Sequence, residues 1–167
     1  ERALDLVAAM RRHALLPNLV TYSAAVSACE KGGMDVPALL LLQDMRDSQV
    51  LPSVVTLNAA ISACEKAGKW EAAAWLLHNM SRERVAPDLV SYSAVLRACE
   101  AHQRWEVSLG LLLQMRSEHL DPDAVTLGAA VAACSEVPRH FEAVVLLDAV
   151  RTDAVPAHLT SDLAERR

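Results

Sequence analysis

The side chains able to do chemistry in this 167-residue chain are few, and several recur at a fixed interval. Cys29, Cys64, Cys99 and Cys134 stand 35 residues apart. Thiols suit disulfides or metal ligation, but this even spacing argues against both. Equivalent positions in neighbouring two-helix units lie at least ~8–10 Å apart, the separation of packed helices. A disulfide needs Cα atoms within about 7 Å, and four ligands strung along a line do not converge on one ion. The cysteines read as small buried hydrophobes, with no metal and no other cofactor expected. His13, His78, His102, His119, His140 and His158 share no common phase. None forms a nucleophile–base or zinc pattern with Cys or Glu, so no enzymatic activity is expected.

The interval itself is the main signal, because a fixed period decides the fold. Pro17, Pro52, Pro87 and Pro122 keep it, as do Met10, Met45, Met80 and Met115. Full repeats fall at residues 19–53, 54–88, 89–123 and 124–158, with part of an earlier repeat at 1–18 and the start of another at 159–167. The chain opens and closes inside repeats, which predicts a piece of a longer array. Each repeat reads as two helices. In the first full repeat, Tyr22, Ala25, Val26 and Cys29 give one helix its apolar stripe at three- and four-residue spacing. Thr21 or Asn18 caps it, and Gly32-Gly33 ends it. Ala24 and Ala28 are expected to thin the contact so that the next helix approaches closely. The second helix runs from about Asp35, its expected cap, to Ser48. It tolerates Pro37 in its first turn and buries Leu39, Leu41, Leu42 and Met45. Later repeats follow the plan, except that Ala101-His102-Gln103-Arg104 replaces the glycine turn. Trp70 and Trp105 share one phase and are expected to wedge between layers. A two-helix unit cannot bury both of its apolar faces alone, so the units must stack. The fold class is therefore all-α, an α-solenoid of 35-residue helix-turn-helix repeats.

Composition narrows the rest. The chain is 53% hydrophobic but only 4% aromatic, so Leu and Ala carry the core, which suits close-packed helices. No stretch reaches the roughly 20 apolar residues of a membrane span, and direct membrane insertion is not expected. The formal net charge is −5, whereas an RNA binder is ordinarily basic.

The segments "VTYSAAVSACEK", "VTLNAAISACEK" and "VSYSAVLRACEA", followed by "LLLLQDM", "AWLLHNM" and "LGLLLQM" and then a proline, resemble the pentatricopeptide repeat family. The plain P-type is the nearest pattern, in the "NAAISACEK" flavour common in algae and other protists. The resemblance implies a right-handed superhelix with first helices lining its inner surface. It also implies an organellar protein, of plastid or mitochondrion, that binds single-stranded RNA at one nucleotide per repeat. Carried over by residue, Val20, Val55, Val90 and Val125 wedge against bases. The base-selecting pairs are Ser23 with Ser53, Asn58 with Asp88, and Ser93 with Asp123. Asn58 with Asp88 resembles a uracil-preferring pair and Ser93 with Asp123 a guanine-preferring one, while Ser23 with Ser53 is ambiguous. Gly128 with His158 offers no selector, and the usual proline has slipped to Pro156, so the fourth repeat is expected to read nothing. Lys31 and Lys66 stand where family members meet phosphate, but Ala101 and Glu136 replace them in the next two repeats.

Plainer readings stand beside these. Ser23, Asn58 and Ser93 suit local hydrogen bonds, Asp88 and Asp123 after proline suit turns, and Lys31 and Lys66 suit helix C-termini. Two functions are expected. One is sequence-selective binding of single-stranded RNA in organellar RNA processing, stability or translation. The other is a structural or adaptor subunit holding protein partners in a large organellar assembly, which the acidic balance and the lost lysines favour.

Overall fold

Each 35-residue interval folds into two helices because a proline and a capping residue start the first helix, and an inner turn with one left-handed residue divides it from the second. The computed structural model describes residues 2–134. Among them the helices are α1 (Arg2–Arg12), α2 (Leu19–Lys31), α3 (Asp35–Asp47), α4 (Val54–Lys66), α5 (Trp70–Met80), α6 (Leu89–Glu100), α7 (Trp105–Ser117) and α8 (Ala124–Ala133). A single 3₁₀ turn, Ser81–Glu83, follows α5. The described residues contain no strand, and the fold is an all-α helical-repeat solenoid. The expected second helix of the fourth repeat, with Pro138, Pro156 and His158, falls on residues outside those described, as does Glu136.

The chain divides into two compact units, one reaching Ala98 and the other starting at Cys99. In the first unit α2 packs on α1, α3 and α4, and α4 packs on α5. Tyr22, Val26, Cys29, Leu41, Leu42, Met45, Ile61, Cys64, Leu76 and Met80 are buried at these contacts. In the second unit α7 packs on α8, burying Leu109, Leu112, Met115, Ala130 and Ala133. All four cysteines are buried and none is in a disulfide. Burial pushes the Cys64 thiol up to about 11, so it stays protonated and behaves as a small apolar group. Trp70 and Trp105 are half-buried.

Three local expectations are corrected. Ala24 and Ala28 are exposed, whereas their counterparts Ala59 and Ala63 are buried. α4 packs on α2 along this side of the chain. Asp35 does not cap α3: Met34 is the N-cap, with no capping hydrogen bond from its side chain, and Asp35 is the first helical residue. There its carboxylate complements the helix dipole instead. Leu39 is only partly buried, and Ala38 takes its place in the α3 core.

The turns are also periodic. Gly33 and Gly68 adopt left-handed backbone after the first helices, and Gln103 takes the same role in the repeat whose inner turn has no glycine. After the second helices the left-handed residues are Ala14, Gln49, Arg84 and His119, again 35 apart. In each, the next N–H closes back on the helix: Leu15 to Met10, Val50 to Met45, Val85 to Met80, Leu120 to Met115. These bonds satisfy carbonyls that a helix end leaves open.

Candidate functional site

The site begins with the caps. The last residue of each repeat starts the first helix of the next one. Asn18, Ser53 and Asp123 are the N-caps of α2, α4 and α8, each accepting from the backbone N–H three residues on. Asp88 does the same for α6, with its Oδ1 2.9 Å from the Ser91 nitrogen. The repeat's last residue is therefore held at a helix N-terminus by the backbone, which fixes where its side chain stands.

The expected selectors lie one turn beyond the valines, on the same helix face. Asn58 is half-buried, and its Nδ2 donates to Asp88 Oδ1 at 3.0 Å. Ser91 Oγ donates to Asn58 Oδ1 at 2.6 Å and accepts from the Asp88 backbone N–H at 3.1 Å. Ser23 and Ser53 do not touch each other directly. Both reach Thr56 Oγ1, at 2.7 Å and 3.0 Å. Ser93 is nearly buried and donates to the Leu89 carbonyl of its own helix at 2.7 Å. Asp123 accepts from Thr126 Oγ1 at 2.6 Å and from the Thr126 N–H at 2.8 Å. Gly128 is exposed, with open space where a side chain would stand.

Two carboxylates are tuned by these contacts. Burial pushes the Asp88 carboxyl up, but the Ser91 N–H, the Asn58 amide and the Ser91 hydroxyl together hold it below the ordinary carboxylate value. The Thr126 hydroxyl and N–H likewise lower Asp123. Both are anions at neutral pH.

Around the selectors the surface is apolar at one point per repeat. Val20 is 74% exposed, Val55 64%, Val90 56% and Val125 57%. Lys31 is exposed at the end of α2. Lys66 is tied to Glu30, with Nζ 3.1 Å from Oε1. Arg97 grips Glu65 with two bonds of 2.8 Å. These pairs join successive first helices and neutralise part of the positive charge.

Thr56 and Ser91 are the residues that sequence reasoning overlooked. Both are fully buried yet polar. Their signal was present: Thr21, Thr56, Ser91 and Thr126 place a hydroxyl 35 residues apart, three after each cap. It went unread because a hydroxyl near a helix start reads as a cap in its own right.

A family model described as PPR repeat family matches residues 52–101, and one described as PPR repeat matches residues 20–50 and 90–120. The chain belongs to the pentatricopeptide repeat (PPR) family. Both single-repeat matches open on one of the exposed valines, Val20 and Val90. Among solved structures, the pentatricopeptide repeat protein PPR10 from maize is similar at 29% identity and a TM-score of 0.67, over 97% of this chain and 23% of that one. PPR10 in complex with an 18-nt psaJ RNA element is similar at 23% identity and a TM-score of 0.66, over 90% of this chain and 22% of that one. This PPR chain thus spans less than a quarter of the length of the PPR10 chains it matches. No curated protein matches it. Among the described residues no cluster of side chains suits a metal ion, and no helix is long and apolar enough to cross a membrane.

Proposed function

We propose that this chain is a reading segment for single-stranded RNA, one nucleotide per repeat, acting in organellar RNA processing, stability or translation. The observation that carries it is an exposed valine with a polar selector one turn on, the selector being tied into the next helix cap at Ser23 and at Asn58. Val55 with Asn58 and Asp88 forms the fullest example. An apolar side chain facing solvent gives a base face something to pack on. An amide anchored on a carboxylate offers a directed donor to the base edge. Single-stranded RNA, whose bases are unstacked, is the form of nucleic acid such a surface suits. The structural likeness to PPR10, which has been seen with an RNA element, supports the same reading, and the organellar setting rests on the family resemblance. On this reading Asn58 with Asp88 takes uracil, Ser93 with Asp123 takes guanine, Ser23 with Ser53 is permissive, and Lys31 and Lys66 lie near phosphates.

A second reading, an adaptor that holds protein subunits of an organellar complex, has its own observation. Lys66 and Arg97 are engaged with carboxylates, and the second helices expose Val36, Leu40 and Trp75. Binding measurements separate the two. Asn58→Ala with Asp88→Ala is expected to weaken binding to a uracil-containing single strand about tenfold, the worth of one base contact. A complex recovered from the source that keeps its size after ribonuclease, from a chain with no affinity for single strands, would instead establish the adaptor.

A further inference from the structure

Ser91 and Thr56 are fully buried hydroxyls at the third position of α6 and α4. Buried polar groups must find partners, and these find them across the junction between repeats. Ser91 Oγ has one proton and sits 2.6 Å from Asn58 Oδ1 and 3.0 Å from Asp88 Oδ1. Asn58 already donates Nδ2–H to Asp88, so the carboxylate oxygen is served and the hydroxyl proton is best used on the amide oxygen. Turning the amide over would face its oxygen to the Asp88 carboxylate, acceptor against acceptor. The amide therefore has one orientation: oxygen covered by Ser91, one N–H on Asp88, the second N–H left for a ligand. Thr56 repeats the arrangement one junction earlier, between Ser23 and Ser53.

We propose that the third residue of a first helix is a specificity-determining positioning residue for the preceding repeat: Ser91 for Asn58 with Asp88, Thr56 for Ser23 with Ser53. It need touch no base. By covering the Asn58 amide oxygen it leaves only a donor facing the groove. A donor suits uracil, which carries a carbonyl at the position where cytosine carries an amino donor. Without the hydroxyl the oxygen is uncovered and can accept from the cytosine amino group, so the preference for uracil narrows. This inference rests on the RNA reading above and adds to the selector pair a residue from the next helix.

The test compares Ser91→Ala and Ser91→Thr with the unmodified chain, on two single-stranded RNAs that differ only by uridine or cytidine at one position. Ser91→Ala is expected to lower the uridine-over-cytidine ratio about tenfold, the worth of one hydrogen-bonded base contact. Ser91→Thr, which restores a hydroxyl, is expected to keep the ratio, and uridine-strand affinity is expected to change less than the ratio does. A merely structural role would shift both RNAs together. A ratio unchanged in Ser91→Ala overturns the inference. Should Ser91→Ala not fold, Ser91→Cys, close in shape and a weak donor, is read in the same way. If the unmodified chain binds neither RNA, the RNA reading fails, and NMR decides the positioning separately. The Asn58 side-chain amide protons should move toward the shifts and exchange rates of a solvated amide in Ser91→Ala and stay in place in Ser91→Thr. An Asn58 amide indifferent to both substitutions overturns the inference.

Discussion

Val55 and Val90 leave more than half of their surface in solvent, at the first turn of helices whose next two turns are almost entirely buried. Single exposed valines are common on protein surfaces, but Val20, Val55, Val90 and Val125 recur at one phase, each one turn before a selector position. Truncating them separates packing from recognition. Val55→Ala with Val90→Ala is expected to change folding stability by less than about 0.5 kcal/mol per site, as for exposed positions in general. It should lower affinity for single-stranded RNA roughly tenfold, since two base faces lose their contact. Chemical denaturation and fluorescence anisotropy check the two halves. Asp88 adds a pH dependence of known sign. Its carboxyl titrates lower in the folded chain than in the unfolded one, where it is near 3.9. The unfolded chain therefore binds the proton first. The contribution is complete above the unfolded value and is lost as pH falls through the lowered folded value. Thermal unfolding across that acid range should show a steeper loss for the unmodified chain than for Asp88→Asn, which does not titrate.

At the scale of helices and turns, the sequence was legible wherever one residue type served one purpose. Proline marked the boundary between repeats, apolar spacing marked both helices, and Gly33 and Gly68 marked the inner turns. It was silent where the backbone needs a geometry that several residues tolerate. Ala14, Gln49, Arg84 and His119 all hold φ near +58, yet they share no chemistry for a pattern to catch. Gln103 likewise replaces a glycine at φ +53. Asp35 was misplaced for a related reason, since an acid at a helix start serves equally as a cap or in the first turn. The left-handed positions can be tested in opposite directions. A Cβ on Gly33 would meet only ordinary contact with Lys66 Cβ at 3.6 Å, so Gly33→Ala suffers backbone strain alone, about 1 kcal/mol. Gln49→Gly relieves the same strain and is expected to stabilise by roughly 0.5 kcal/mol. Urea midpoints of the two variants should move to opposite sides of the unmodified chain.

At the scale of the whole molecule, family and fold class were legible because the 35-residue period constrains every buried position at once. The arrangement around the selectors was only half legible. Asn58 and Asp88 sit at matching ends of one repeat, and the resemblance pairs them, but nothing local to either predicts the hydroxyl from the following helix that joins them. The lysines show the opposite problem. Lys31 and Lys66 are equivalent in sequence, yet Lys66 is held by Glu30 of the preceding first helix, while Lys31 is exposed. The net charge of −5 makes base contacts, more than phosphate attraction, the source of affinity in this account. That claim is tested most directly by changing the selector and watching the preferred base. Affinities of the unmodified chain and of Asn58→Ser would be measured for four single-stranded RNAs that differ only in the nucleotide facing that repeat. Serine with Asp88 then reproduces the Ser93 with Asp123 pair. The tightest-binding strand is expected to change from the uracil to the guanine version, and the same ranking of the four strands by both proteins would rule out base reading by the selector.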